Sequence, residues 1–217
     1  MNPAVWRGHL DRLLSNISKR RPRHRPSLPW RELPQFMMLL AERNASAARA
    51  LEFTILTGCR TREVLGARWH EMDINARQFT VPPERMKAGK QHVVPLSDAA
   101  LGVVAVMADC RRNEFVFPGE TSAGSLSSHS MTALLQRLGR TDITVHGMRS
   151  TLADWAVDNG FDIELANLCL AHTIGNAVSR AYVRTTRLDD RCQLLAAYAA
   201  FATGRAEEEK VVAFRKS

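Results

Sequence analysis

Apolar residues recur at helical spacing along most of this chain, and strand-like alternation is confined to one short stretch. Phe36, Met37, Leu39 and Leu40 mark a helix over residues 33–43, and a second helix over 46–56 runs into Thr57 and Gly58, where glycine allows a tight turn. Thr61 is placed to cap a short helix with Glu63 in its first turn and Val64 and Leu65 inward. Gln78–Val81 alternates as a strand, and residues 85–87 and His92–Pro95 flank Ala88, Gly89 and Lys90 as a hairpin. Ser97 caps a helix reaching about Cys110, residues 115–117 form a short strand ended by Pro118 and Gly119, and residues 120–130 form a loop. Met131, Leu134, Leu135 and Leu138 stripe the next helix, and further helices are expected between Thr144 and Gly160, over 163–170, over 176–184 and over 188–202, the last with Tyr198 in its core or at an interface. The pattern predicts a mainly α fold with a small antiparallel β-sheet.

A chain of 217 residues is long enough for one sizeable core. Thirty Lys and Arg against 22 Asp and Glu leave a net charge of +8, which favours a polyanionic partner over an acidic small molecule. Cys59, Cys110, Cys169 and Cys192 stand far apart with no C-x-x-C, so neither a zinc site nor a disulfide framework is indicated, and a reduced cytoplasm fits best. No long apolar run or signal pattern is present, so membrane and secretory classes fall away. Residues 1–18 could form a short amphipathic helix. Lys19, Arg20, Arg21, Arg23 and Arg25, with Pro22 and Pro26 opposing helix, read as an extended basic linker, either a solvated tether or a clamp on a DNA backbone.

Chemistry concentrates in residues 144–182. His146 and Arg149 lie three apart, a spacing that puts imidazole and guanidinium on one face of a helix. Such a pair suits an oxyanion, because arginine holds phosphate bidentately and histidine donates a hydrogen bond or moves a proton near neutral pH. Alone, H-x-x-R is more often a solvated helix face. Here T-G-C-R-T-R-E stands upstream at residues 57–63, then M-K-A-G-K from Met86, then H-G-M-R from His146, L-A-H ending at His172, and A-Y ending at Tyr182. This ordered set resembles the tyrosine recombinase (phage integrase) family, specifically the catalytic domain of a prophage-type integrase.

The resemblance covers about residues 28–203 and implies the family's DNA breaking-rejoining fold, with Arg60, Lys87, His146, Arg149 and His172 around a backbone phosphate and Tyr182 as nucleophile. Lys90 is the runner-up for the hairpin lysine and a candidate DNA-backbone contact with the basic linker. Glu63 would orient Arg60, and Arg62 is left as a surface residue. The implied activity is site-specific DNA recombination, phage or prophage integration or excision, through a 3′-phosphotyrosyl intermediate. No metal and no cofactor are implied, since the covalent intermediate keeps the bond energy. The implied partners are double-stranded DNA at recombination sites and further copies of the chain, a tetramer on DNA and a monomer off it, with a cytoplasmic, nucleoid-associated location. Ala171 departs from the glycine common in the family's L-G-H.

Only residues 1–27 precede the catalytic segment, where the resemblance implies the end of a core-binding domain and its linker. One alternative is therefore a truncated remnant that binds DNA without completing recombination. A helical transcription regulator is the other, and it needs no such ordered set. The apolar helix over 188–202, followed by Gly204 and a charged tail over 204–217, must bury its face, and the resemblance implies that segments after the nucleophile dock on a neighbouring copy, so residues 202–217 are expected to be mobile or docked there.

Overall fold

The computed structural model describes residues 26–119, 124–172 and 187–205. Its centre is a helix buried on nearly every side. After α1 (Leu33–Ala41), α2 (Ser46–Thr57) buries Ala47, Ala48, Ala50, Leu51, Phe53, Ile55 and Leu56. A helix apolar all round must be enclosed, and α2 is, by α1, α4 (Asp98–Asp109), α5 (Ser130–Arg137), α6 (Met148–Asp158) and α8 (Leu188–Ala202). Short α3 (Thr61–Leu65) follows α2 directly, and α7 (Ile163–Cys169) packs on α6 and α8. No helix among the described residues is long and apolar enough to cross a membrane.

The sheet is antiparallel in the order β1 (Met72–Asp73), β2 (Gln78–Val81), β3 (His92–Pro95), with Phe79 opposite Val94 and Val81 opposite His92. Phe79, Val81 and Val94 face the core, where the Phe79 ring meets Phe53 on α2 at 5.8 Å. The hairpin differs from the sequence expectation. β3 pairs with Gln78–Val81, and Arg85 and Lys87 lie on a ten-residue connection, 82–91, not on a strand. Pro82 and Pro83 have no N–H for a ladder. Pro83–Arg85 instead forms a 3-10 turn, and the Arg85 guanidinium folds inward onto the Gly66 carbonyl and, at 2.5 Å, onto Glu71.

Residues 115–117 likewise form no strand, only an isolated bridge between Arg68 and Phe115, with Pro118 bridging Ser125. Their N–H groups go to separate partners: Phe115 N donates to Asn113 Oδ1 at 2.9 Å and Val116 N to Ala67 O at 2.9 Å, so no continuous ladder develops. The last helix covers Leu188–Ala202, as its apolar pattern predicts. It is held in its own chain: the Trp155 ring meets Tyr198 at a tilt at 5.1 Å and stacks with Phe201 at 5.9 Å, and Trp30 meets Phe201 at 5.5 Å. Ala202 is fully buried there, which corrects the expectation that mobile or exchanged chain begins at that residue. Residues 206–217 lie outside the described residues.

Candidate active site

The H-x-x-R turn is built against the incoming chain. Thr144 donates from its N and from Oγ1 to the Pro26 carbonyl, each at 3.1 Å, and Oγ1 accepts from Gly147 N at 2.9 Å. Thr151 Oγ1 donates to Leu28 O at 2.7 Å. A Cβ on Gly147 would lie 2.0 Å from the Pro26 carbonyl oxygen, so the turn requires glycine for close approach. These contacts delay the helix until Met148. His146 therefore stands in the turn ahead of α6, exposed, with its carbonyl accepting from Arg149 N at 3.2 Å. The two side chains do not share a helix face, a correction to the spacing argument; Arg149 turns inward to 3% exposure.

Arg149 is held by neutral acceptors. Nη1 donates to the Gly58 carbonyl, and Nη2 donates to Leu170 O at 2.5 Å and contacts His172 Nε2 at 3.0 Å. Burial first, and then the nearby Arg60 charge, pull its pKa down to about 10. Gly58 supplies its carbonyl because it caps α2 with φ 65, and a Cβ there would meet Leu170 Cδ2 at 2.9 Å. The helix after it starts one residue earlier than expected, with Arg60 and not Thr61 at the cap, because Glu63 Oε2 reaches back to Arg60 N at 2.7 Å. The other Glu63 oxygen accepts from Arg60 Nη1 at 2.8 Å, and Arg60 Nη2 donates to Ala171 O at 3.2 Å.

Both guanidiniums thus converge on the turn after α7. Ala171 sits there at φ 48, a left-handed conformation that favours the glycine expected at this position from the L-G-H resemblance. His172 follows. Arginine has no lone pair, so His172 Nε2 accepts from Arg149 and the ring proton is on Nδ1, which reaches Asn167 Oδ1 at 3.1 Å. Burial, then the charges of Arg149, Arg60, His146 and Lys87, push His172 down to about 4. Lys87 and His146 are thus near enough for their charges to act on His172, while Lys87 is exposed on the 82–91 connection, as is Lys90.

Sequence reasoning missed Asn167, which fixes the His172 tautomer, and the Pro26 carbonyl under the H-x-x-R turn; a backbone acceptor leaves no signature in the letters. Lys19, Arg20, Arg21, Arg23, Arg25 and Tyr182 lie outside the described residues. The chain has two tyrosines. The other, Tyr198, is fully buried, and burial pushes its hydroxyl pKa upward. Burial likewise raises the Cys59 and Cys169 thiols to about 12 and about 11, so neither is a thiolate nucleophile.

A mainly helical domain with a small three-stranded antiparallel sheet has counterparts among solved structures. The fold is that of tyrosine recombinase catalytic domains. It is similar to the XerA recombinase (TM-score 0.58, 14% identity, 80% of this chain and 71% of that one). It is also similar to a lambda integrase tetramer bound to a Holliday junction (TM-score 0.55, 17% identity, 72% of this chain and 48% of that one). Residues 27–188 match the Phage integrase family, and the chain belongs to that family. A curated relative, the prophage integrase IntA of Escherichia coli (strain K12), is 34% identical over 180 residues, covering 81% of this chain and 44% of the relative. The chain spans about half the length of the curated relatives it matches.

Proposed function

We propose that this chain is the catalytic part of a site-specific DNA recombinase that breaks and rejoins strands through a 3′-phosphotyrosyl intermediate. The carrying observation is the convergence of Arg60 and Arg149 on one turn, where the one carboxylate bonded to either guanidinium among the described residues is Glu63, on Arg60. Two guanidiniums against one carboxylate leave the site short of negative charge. A backbone phosphodiester supplies one charge and its pentavalent transition state a second, so the site favours the transition state over the ground state.

In this reading Tyr182 Oη, giving up its proton to His146 or to water, attacks the phosphorus and the bond from phosphorus to the 5′-oxygen breaks. Lys87 gives its proton to that oxygen, leaving a 5′-hydroxyl. Arg60 and Arg149 hold the non-bridging oxygens, and His146 assists proton transfer or holds the phosphate. His172 contributes a hydrogen bond only after exchanging a partner, since Nε2 and Nδ1 contact Arg149 and Asn167 here. Glu63 orients Arg60. The burial of Tyr198 leaves Tyr182 as the one tyrosine open to this role. Rejoining runs the same steps backwards from a new 5′-hydroxyl, so no nucleotide cofactor is consumed.

The partner is double-stranded DNA, gripped along its backbone by Lys19, Arg20, Arg21, Arg23, Arg25 and Lys90, consistent with the net charge of +8. Assembly into a tetramer on DNA is supported by the lambda integrase likeness, and the protein acts at the nucleoid. Residues 1–27 serve as the entry from a DNA-encircling domain and 204–217 as a tail. Single-turnover cleavage of a nicked duplex in chelator tests the reading. Wild type cleaves, and Arg149→Ala loses about 10²–10³ in rate. A strict Mg²⁺ requirement would falsify it, and binding without cleavage would favour a DNA-binding remnant.

A further inference from the structure

Beneath the proposed site lies another buried arginine. Arg191 on α8 is 2% exposed and has no carboxylate partner among the described residues. Its Nη2 donates to Val93 O at 2.6 Å and lies 3.4 Å from His92 Nε2, while its Nε has no hydrogen-bond partner. Because arginine only donates, His92 Nε2 is an acceptor and its proton sits on Nδ1. The backbone of Cys169, on the helix against which α8 packs, lies near enough to act on the ring as a hydrogen-bond partner, raising its pKa. One imidazole therefore joins three elements: the start of β3, the last residue of α7, and α8.

The position of that joint matters. His92 is the residue at which the 82–91 connection carrying Lys87 re-enters the sheet, and Cys169 leads straight into the carbonyls of Leu170 and Ala171 that hold Arg149 and Arg60. We propose that His92, held by Arg191, is a positioning residue that ties the lysine connection to the arginine-binding turn and so sets Lys87 against the scissile phosphate. The inference rests on the reading of Lys87 as proton donor. Burial, then the Arg191 charge, keep His92 at a pKa of about 4, so the ring stays neutral, as an acceptor from arginine must.

A sulfur substitution separates this role from a merely structural one. With oxygen at the bridging 5′ position, phosphorus–oxygen cleavage needs the Lys87 proton. With sulfur there, the same bond breaks to a thiolate that leaves without one. Nicked duplexes of both kinds are offered to the full chain and to His92→Leu, His92→Asn and Lys87→Ala. Both His92→Leu and Lys87→Ala are expected to slow cleavage of the oxygen substrate about tenfold or more, yet cleave the sulfur substrate within about threefold of wild type. His92→Asn, which keeps a donor for the Cys169 backbone, recovers most of the oxygen-substrate rate. Equal slowing of His92→Leu on both substrates overturns the proposal, as does wild-type behaviour on both. Lys87→Ala unrescued by sulfur instead overturns the proton-donor reading. Amide hydrogen exchange supplies a readout without cleavage: residues 88–91 exchange faster in His92→Leu and not in Lys87→Ala, and unchanged exchange in His92→Leu removes the tether.

Discussion

Arg60 and Arg149 hang from consecutive carbonyls of one turn, Arg60 from Ala171 O at 3.2 Å and Arg149 from Leu170 O at 2.5 Å. Two like charges so close are tolerated because Glu63, 1% exposed, neutralises one of them. Glu63→Gln removes that counter-charge while keeping the shape. Stability should fall by about 1–3 kcal/mol, the usual worth of a hydrogen bond to a charged group, and cleavage should fall with it. Added sulfate should recover more stability in the variant than in wild type, read from urea midpoints. Equal gains in both would show that the site does not lack negative charge.

Ala171 at φ 48 predicts an order of stabilities. Ala171→Gly relieves the left-handed strain, offset in part by the freedom glycine adds to the unfolded chain, for a net gain of at most about 1 kcal/mol. Ala171→Val should cost about 1–3 kcal/mol and loosen both arginines. Urea midpoints in the order Gly, Ala, Val support this account, and the reverse order contradicts it.

How much of this could be read beforehand depends on how local each contact is. The i, i+3 spacing of Arg60 and Glu63 brings the pair together within one turn, and the apolar stripe of Leu188–Ala202 marks its own bounds. His146 was misplaced because its turn is set by Pro26, 120 positions upstream, through Thr144 and Gly147. The hairpin arm was misplaced because Arg85 turns onto Glu71 and Gly66. Asn167, His92 and Arg191 gain their importance from neighbours on other elements, and no periodicity reports that.

Gly147 offers a direct check on the Pro26 contact. Its Cβ would lie 2.0 Å from the Pro26 oxygen and 2.8 Å from the Pro26 carbonyl carbon, backbone atoms that cannot rotate away. Gly147→Ala should cost about 1–3 kcal/mol, as overpacking does, and should make the chain around residue 26 more sensitive to protease. Unchanged proteolysis would mean that the contact does not fasten the incoming chain.

Stability should depend on pH through opposing groups. His92 and His172 are held near 4, below their ordinary 6.5, so between those values the unfolded chain binds more protons and stability is lost as pH falls from about 6.5 to about 4. Glu52 is raised from 4.5 to about 7: burial outweighs its 2.9 Å ion pair with Arg49, so its contribution is lost as pH rises through that window. Glu52→Gln should therefore steepen the rise of melting temperature between pH 4.5 and 6.5. A flatter curve in the variant would contradict these assignments.

The central claim is that a tyrosine of this chain becomes covalently joined to DNA. A nicked duplex whose short 5′ fragment diffuses away after cleavage traps that state, and peptide mass spectrometry locates the modified residue. The account predicts a 3′-phosphate adduct on Tyr182, formed in chelator and absent in Tyr182→Phe. An adduct on any other residue, or strand cleavage with none at all, would contradict it.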